Sequence, residues 1–352
     1  MQVLAARSPY RFHGLRLLRR CEALEAACRV RMRRRHALAL SSGTAALHTA
    51  LAALEVGPGD EVILPAYAWS ADLMAVLAVG AVPVIAPIDE TLGLDPRRLP
   101  ECATRRTRAV VAVHMRGVPC DLRAIAAFAR QHRIAVIEDG AQCLGGRVEG
   151  RPVGSGGDVS VLSFQYNKLV TAGEGGMLLT DDRRVYERAR RFHDLGMRRN
   201  AGEADPAGLR CIESFGLNYR MSELQAAVLL EQVKKMPMIL AGLRAAARRA
   251  SASLGPAARS LGLAPRPAVK GTEPNQAFLC LQADEGRAAA RAAHALRRQG
   301  LPVQRASRLD GHHPAAWQAY LRRARVPFRA VGVTPSTAIL NRTLFLEING
   351  TA

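Results

Sequence analysis

Residues 110–142 read VVAVHMRGVPCDLRAIAAFARQHRIAVIEDGAQ, and this stretch decides the fold. Val110 to Val113 and Ile134 to Ile137 are short, continuous apolar runs rich in β-branched residues, the pattern of strands buried on both faces. Between them Leu122 to Gln131 carries apolar residues at helical spacing, with Asp121 placed as its N-cap. Strand–helix alternation of this kind implies an α/β sheet covered by helices on both faces.

The same rhythm extends outward. Val62 to Leu64 and Val82 to Ile85 read as strands, Thr44 to Leu54 and Ser70 to Val79 as helices, with Ser70 as a cap. Val159 to Phe164 and Met177 to Thr180 read as two more strands. Asp181-Asp182 then opens a basic helix, where a capping role outweighs a metal pair. Ser222 to Arg249 is a long helical stretch. Beyond Gly255 come Pro-rich loops, a strand at Ala277 to Leu281 and a helix at Ala288 to Arg298. The break near residues 240–265 divides the chain into a large domain, 1–245, whose residues 1–35 form an N-terminal helical segment, and a small domain, 246–352.

Composition narrows the function. The chain has 352 residues, and 49% are hydrophobic, enough for a sizeable core. No apolar run reaches the length of a membrane span, and the first residues lack an apolar signal core, so a cytoplasmic location is expected. Seven cysteines, none in a CxxC pair, fit scattered reduced thiols and no zinc site. The formal net charge is +20, yet only four of the fifty basic residues are lysine: Lys168, Lys234, Lys235 and Lys270. The densest cluster, Arg31 to Arg35, has no interleaved aromatics for base stacking. A solvated basic surface is the better reading than a nucleic-acid footprint, and an anionic small substrate such as a nucleotide-linked sugar also suits it.

Four segments carry chemistry. Ser42-Gly43-Thr44-Ala45 feeds a loop into a helix, offering backbone N–H groups and a positive helix end to a phosphate, although such caps open many helices. Glu138-Asp139-Gly140-Ala141-Gln142 ends a predicted strand, where α/β sheets place ligand-binding groups; a carboxylate there suits a metal, a ribose hydroxyl or a protonated ring nitrogen, and equally a helix cap. Ser163 to Lys168 leads into Thr171-Ala172-Gly173-Glu174-Gly175-Gly176. An amine nucleophile for carbonyl chemistry cannot be arginine, and this chain nearly avoids lysine; the plainer reading is a surface lysine by a turn. Asn218-Tyr219-Arg220-Met221 precedes the long helix, where Asn218 could donate to an anion or belong to a capping region.

Taken together and in this order, these segments resemble the DegT/DnrJ/EryC1/StrS family of sugar and cyclitol aminotransferases. The family pattern runs SGTxAL, EDxAQ, SFxxxK with GEGG, and NYRM; Gly57 to Val62 and Val113 to Gly117 match as well. The resemblance covers residues 8–240 well and the remainder loosely. It implies an aspartate-aminotransferase-type (fold type I) α/β fold, pyridoxal 5′-phosphate (PLP) as cofactor, and a homodimer with shared active sites. By resemblance, Lys168 is the Schiff-base lysine, Asp139 the carboxylate at the pyridine nitrogen, Gln142 the residue beside the ring hydroxyl, and Trp69 the aromatic stacked on the ring. Thr44, Ala45 and Ser163 match the phosphate cradle, and Asn218 the phosphate donor from the partner subunit.

The physics agrees with these roles: an anionic Asp139 keeps the ring protonated, and Lys168 can serve as base once its pKa is lowered by desolvation and the nearby cationic ring. Leu169 to Ala172 departs from the NLGA of nucleotide-sugar members. It is closer to a branch acting on cyclitols, keto sugars and antibiotic precursors, which Ser336 to Ile348 also resembles. The implied reaction moves an amino group from L-glutamate or L-glutamine to a keto sugar, cyclitol or related carbonyl compound, with no nucleic-acid or membrane partner. The alternatives are a PLP-dependent sugar dehydratase, in which histidine replaces the lysine, and a basic nucleic-acid-binding protein with a degenerate PLP fold. Gly154 to Asp158 lacks the spacing of a phosphate loop and reads as a turn. His312-His313 is too isolated for a metal site. His114 and Arg116 suit substrate approach and packing equally.

Overall fold

The computed structural model of the chain describes residues 2–12, 18–198, 212–308 and 310–348. Of the expected N-terminal helical segment, residues 1 and 13–17 lie outside that description. The rest holds α1 (Gln2–Ala5) and α2 (Arg20–Met32). There follow β1 (His36–Leu40), α3 (Gly43–Ala53), β2 (Glu61–Pro65), α4 (Ser70–Ala78), β3 (Val82–Ala86), α5 (Leu99–Cys102), β4 (Thr107–Val113), α6 (Leu122–His132) and β5 (Ala135–Asp139). A small hairpin, β6 (Arg147–Val148) and β7 (Arg151–Pro152), leads to β8 (Val159–Ser163), β9 (Gly176–Thr180) and α7 (Arg183–Phe192). The long α8 (Glu223–Ser260) precedes β10 (Ala264–Pro265), β11 (Thr272–Glu273), β12 (Phe278–Gln282), α9 (Gly286–Arg298), β13 (Gln304–Arg305), α10 (Pro314–Arg323), β14 (Arg329–Ala330), α11 (Val333–Asn341) and β15 (Thr343–Glu347).

The main sheet has eight strands in the order β1-β9-β8-β5-β4-β2-β3-β14. β9 runs against both neighbours, and every other pair is parallel. The apolar runs divide by the two-residue strand period. Ala109, Val111, Val113 and Ile137 pack under α3, α4 and α7, whereas Val110, Ala112 and Val136 pack under α5 and α6. Both faces are covered, as the unbroken apolar strands require. On β5 the same alternation sends Asp139 to the face of Ile137 and Glu138 to the opposite one.

A second, antiparallel sheet, β10-β12-β15-β13, packs with α9 around Leu296, Leu344 and Leu346. α8 joins the two bodies. Its first half packs Leu229, Val233 and Met236 with α2, and its second half gives Leu243, Ala247 and Leu254 to the core of the small sheet. Its 38 residues run through the 245/246 division drawn from the sequence and past Pro256, and β14 returns to the large sheet beside β3.

Local chemistry sets the helix starts. Asp121 Oδ1 accepts from the Ala124 amide at 3.0 Å, and Asp182 Oδ1 from Arg184 and Val185, so both act as caps. Asp181 instead pairs with Arg34 at 3.0 Å. Ser70 was expected as a cap; Trp69 takes that position with extended backbone and no side-chain bond, and Ser70 is the first helical residue. The 154–158 segment is a turn, its Gly154 and Gly156 amides donating to Glu138 and its carbonyls facing Arg34. Among the described residues, all six cysteines are free and buried, no His/Cys/Asp/Glu cluster could hold a metal, and no helix is long and apolar enough to cross a membrane.

Candidate active site

Parallel strands bring their C-terminal ends to one edge, and the loops leaving that edge carry the chemistry. β1 ends into Ser42-Gly43-Thr44, β2 into Trp69, β4 into His114-Met115-Arg116, β5 at Asp139, and β8 at Ser163. Ser163 pairs with Gly176 across the β8–β9 ladder. α3 starts against it so closely that a Cβ on Gly43 would lie 2.8 Å from the Ser163 Cβ. Glycine at 43 is what lets helix and strand meet. Ser42 Oγ accepts from the Ala45 amide at 3.0 Å. That leaves the amides of Gly43 and Thr44 without an acceptor inside the helix, at its positive end.

Lys168 sits on a short excursion between β8 and β9. Phe164 donates its amide to Gly175 O at 2.8 Å and accepts at its carbonyl from the Ala172 amide and Thr171 Oγ1, closing the base of the loop. Burial pushes the Lys168 amine down from its ordinary value; Asp139 and Asp72 oppose the shift and Arg116 adds to it. Asp139 is buried, and its Oδ1 accepts from the Ala141 amide at 2.8 Å. Burial raises its pKa, while the Ala141 amide and the Lys168 charge work the other way.

The neighbouring Glu138 does something different. Its carboxylate accepts from His114 Nε2 (3.0 Å), the Gly154 and Gly156 amides and Ser160 Oγ. Burial alone would raise it, but these donors hold it at about 2. His114 Nδ1 accepts from the Cys120 amide at 3.0 Å, so its proton sits on Nε2, toward Glu138. Of the two uses open to His114, packing is the one the structure supports.

Arg116 faces the other way. It holds a left-handed backbone (φ 52°, ψ 47°), uncommon outside glycine and concentrated at functional sites. Its guanidinium stacks 4.0 Å from the Phe345 ring centroid, and Nε donates to Tyr67 Oη at 3.2 Å. Its amide donates to Gln142 Oε1 at 3.2 Å. No carboxylate among the described residues pairs with its Nη atoms.

Three groups have no counterpart in the sequence reading of the site. Asp72, on α4, is 1% exposed and turns toward Asp139 and Lys168. Tyr67, at the end of β2, anchors Arg116. His312 reaches in from the loop before α10: its ring lies 4.7 Å from that of Trp69, and Gln142 Nε2 is 3.5 Å from its Nε2. Burial, with Arg116 and Lys168 adding to it, lowers His312 to about 4 and leaves it neutral at pH 7. Its Nδ1 lies 3.2 Å from Asp310 Oδ1, so Nε2 is the free acceptor toward Gln142. Trp69 is 47% exposed beside Gly311, where a Cβ would stand 2.8 Å from the indole. Asn218 is exposed on the single chain, its backbone bridged to Asp194. Lys168, Asp139, Gln142, Ser163, Thr44, Ala45 and Trp69 thus share one edge of the sheet, and Asn218 faces outward.

Comparison with known proteins gives four matches of weight. The model of the DegT/DnrJ/EryC1/StrS aminotransferase family matches residues 15–316. GDP-perosamine synthase of Caulobacter vibrioides is 40% identical over 208 residues, 59% of this chain, and the match spans about half (54%) of that curated relative. Among solved structures, the aminotransferase from Psychrobacter cryohalolentis superposes with a TM-score of 0.87 at 28% identity, covering 99% of this chain and 90% of that one. S. venezuelae DesV, solved in complex with a ketimine intermediate, gives 0.79 at 28% identity over 94% and 84% of the two chains.

Proposed function

The chain belongs to the DegT/DnrJ/EryC1/StrS aminotransferase family, and from that premise we propose that it moves an amino group from L-glutamate or L-glutamine to a keto sugar, cyclitol or related carbonyl compound. Its fold is the aspartate-aminotransferase type, fold type I, and its cofactor is PLP. The observation that carries the reading is a half-buried lysine amine, lowered from its ordinary value, facing the buried carboxyl of Asp139. The 40% identical GDP-perosamine synthase favours a sugar acceptor.

The residues fit that cofactor. Gly43 and Thr44 present first-turn amides, with the Ser163 hydroxyl beside them, to a phosphate. Asp139 offers a carboxylate to a ring nitrogen, Gln142 stands ready beside a ring hydroxyl, and Trp69 supplies an aromatic face. When bound, PLP supplies an electron-withdrawing ring that stabilises negative charge on the donor's Cα. Lys168 Nζ would hold the cofactor covalently and, when free, would accept the proton from the donor's Cα. Its lowered pKa makes the neutral, basic form easier to reach.

The carbon chemistry is tested by adding single amino donors to the yellow holoprotein and following loss of its visible band. Glutamate or glutamine should bleach it within one turnover, and a keto acceptor should restore it. No bleaching by any amino donor would overturn the proposal.

Arg116 is an uncommitted cation beside Lys168, and we assign it to a donor carboxylate. Its proximity to Lys168 supports this choice: the donor's α-carboxylate is one bond from the reacting carbon, whereas a nucleotide diphosphate lies a sugar ring away. Arg116→Gln should raise the KM for glutamate about tenfold or more, the scale for a hydrogen bond to a charged group, with a smaller change in kcat. An unchanged KM would remove the assignment.

The active site is shared across a two-fold dimer, with Asn218 reaching the neighbour's phosphate. Its exposure on the single chain supports this, as does the exposed apolar surface of Ile212 and Phe215 nearby. Loss of Asn218 should weaken PLP binding by about 1–3 kcal/mol. Lys168→Ala and Asn218→Ala chains, unfolded and refolded together at limiting PLP, should regain activity, because each heterodimer then has one site with both defects and one with neither. No rescue would mean that Asn218 serves its own chain.

A further inference from the structure

Asp72 is a buried acid for which the reaction, as described, has no use. It stands third in α4, three residues past the Trp69 cap, 1% exposed, and neither carboxyl oxygen has a hydrogen-bond partner. Its own amide is turned to Trp69 O. The elements packed against α4 give it no counter-charge. On α3 the one titratable side chain, His48, is bonded to Tyr219 Oη. On β2, Glu61 is held by Arg106, Thr104 and Arg329, and β3 carries none. What faces Asp72 is Asp139, on the β5 face turned to α3 and α4, and Lys168 beyond it.

Two buried carboxylates that face each other repel, and neither can donate to the other. One added proton removes both problems: an O–H donor appears, and the best acceptor in reach is the opposing carboxylate. The ligands of the two acids decide where the proton stays. Asp139 already accepts from the Ala141 amide at 2.8 Å and suits the charged form; Asp72 accepts from nothing and suits the neutral one.

We propose that Asp72 is a protonated acid that donates to Asp139, so that the two carboxyls act as one monoanion and Asp72 is the positioning residue that fixes where its charge lies. The inference deepens the reading of Asp139 as the carboxylate at the cofactor's ring nitrogen, and it rests on that reading. Burial and then the Asp139 charge both push Asp72 well above the usual carboxylate range, which agrees with it. Such sharing is how paired acids in one site avoid double ionisation. In this pair Asp139 keeps a fixed orientation and a full negative charge for the ring.

The test has one arm without cofactor and one with it. In the infrared spectrum of the apoprotein at neutral pH, a carboxylic-acid C=O stretch that shifts in D2O should be present and should vanish in Asp72→Asn. In the holoprotein, Asp72→Asn keeps a donor toward Asp139, so the pH at which the bound cofactor's visible band titrates should stay where it is in the wild type. Asp72→Ala should shift that titration and weaken PLP binding about tenfold or more, and Asn should recover most of the loss. Absence of the acid band, or a titration moved as far by Asn as by Ala, overturns the proposal by marking Asp72 as a second anion. If Asp72→Ala does not fold, the wild-type and Asn spectra still decide. Should the protein bind no PLP at all, the catalytic reading fails separately, and the infrared arm still judges the pair.

Discussion

Replacing Lys168 with alanine is expected to lower kcat by on the order of 10³-fold or more, within the range for removing a positioned acid–base group, and also to abolish covalent capture of the cofactor. The physical basis is the contrast among the four lysines. Lys234, Lys235 and Lys270 are exposed, and Lys234 is paired with Glu231 at 2.6 Å. Lys168 has its amine lowered by burial, next to a buried acid. Reduction of the holoprotein with borohydride should therefore leave a single labelled peptide, the one containing Lys168. A label on any of the other three, or a Lys168→Ala variant with near-wild-type turnover, would end the assignment.

The second large effect is expected at Asp139. Asp139→Ala should still bind PLP through the phosphate cradle and Lys168, yet lose about 10²–10³-fold in kcat, the scale for removing one preorganised charge partner. Folding should survive, since the β5 backbone bonds, including the His114 amide to Asp139 O at 3.0 Å, do not involve the side chain. Single-turnover deamination of the amino donor is the measurement that isolates the step; a wild-type rate there would refute the role.

The sequence singles out these two residues because Asp139 ends an unmistakable apolar strand and Lys168 follows another, and because lysine is so rare in this chain. Six of the eight strands of the large sheet were legible for the same reason: buried on both faces, they leave no polar alternation to misread, whereas β1 and β14 were not read as strands. What escaped was whatever depends on contacts between distant segments. Asp72 looks like an acid in the first turn of a helix, an ordinary place for one, and only the sheet's pleat brings Asp139 opposite it. His312 meets Gln142 across 170 positions, with nothing local to announce it. His114 and Arg116, two residues apart, read alike in the sequence, yet one bonds Glu138 under the sheet and the other stacks on Phe345 at the site. The long helix was read as ending near Arg249, but α8 continues through Pro256 because its last turns are packed against the small sheet's core. Tertiary packing there overrides proline's local preference.

The loop that carries Lys168 has a consequence for rate. Phe164 ties its two ends together through Gly175, Ala172 and Thr171, so the backbone that carries the amine is fixed before any substrate arrives. The entropy of fixing that backbone is lost when the chain folds, not at each turnover, so on the proposed mechanism the amine would meet the reacting carbon at a high effective molarity. Loosening the base of the loop, far from the amine itself, would dilute Lys168 within its own site.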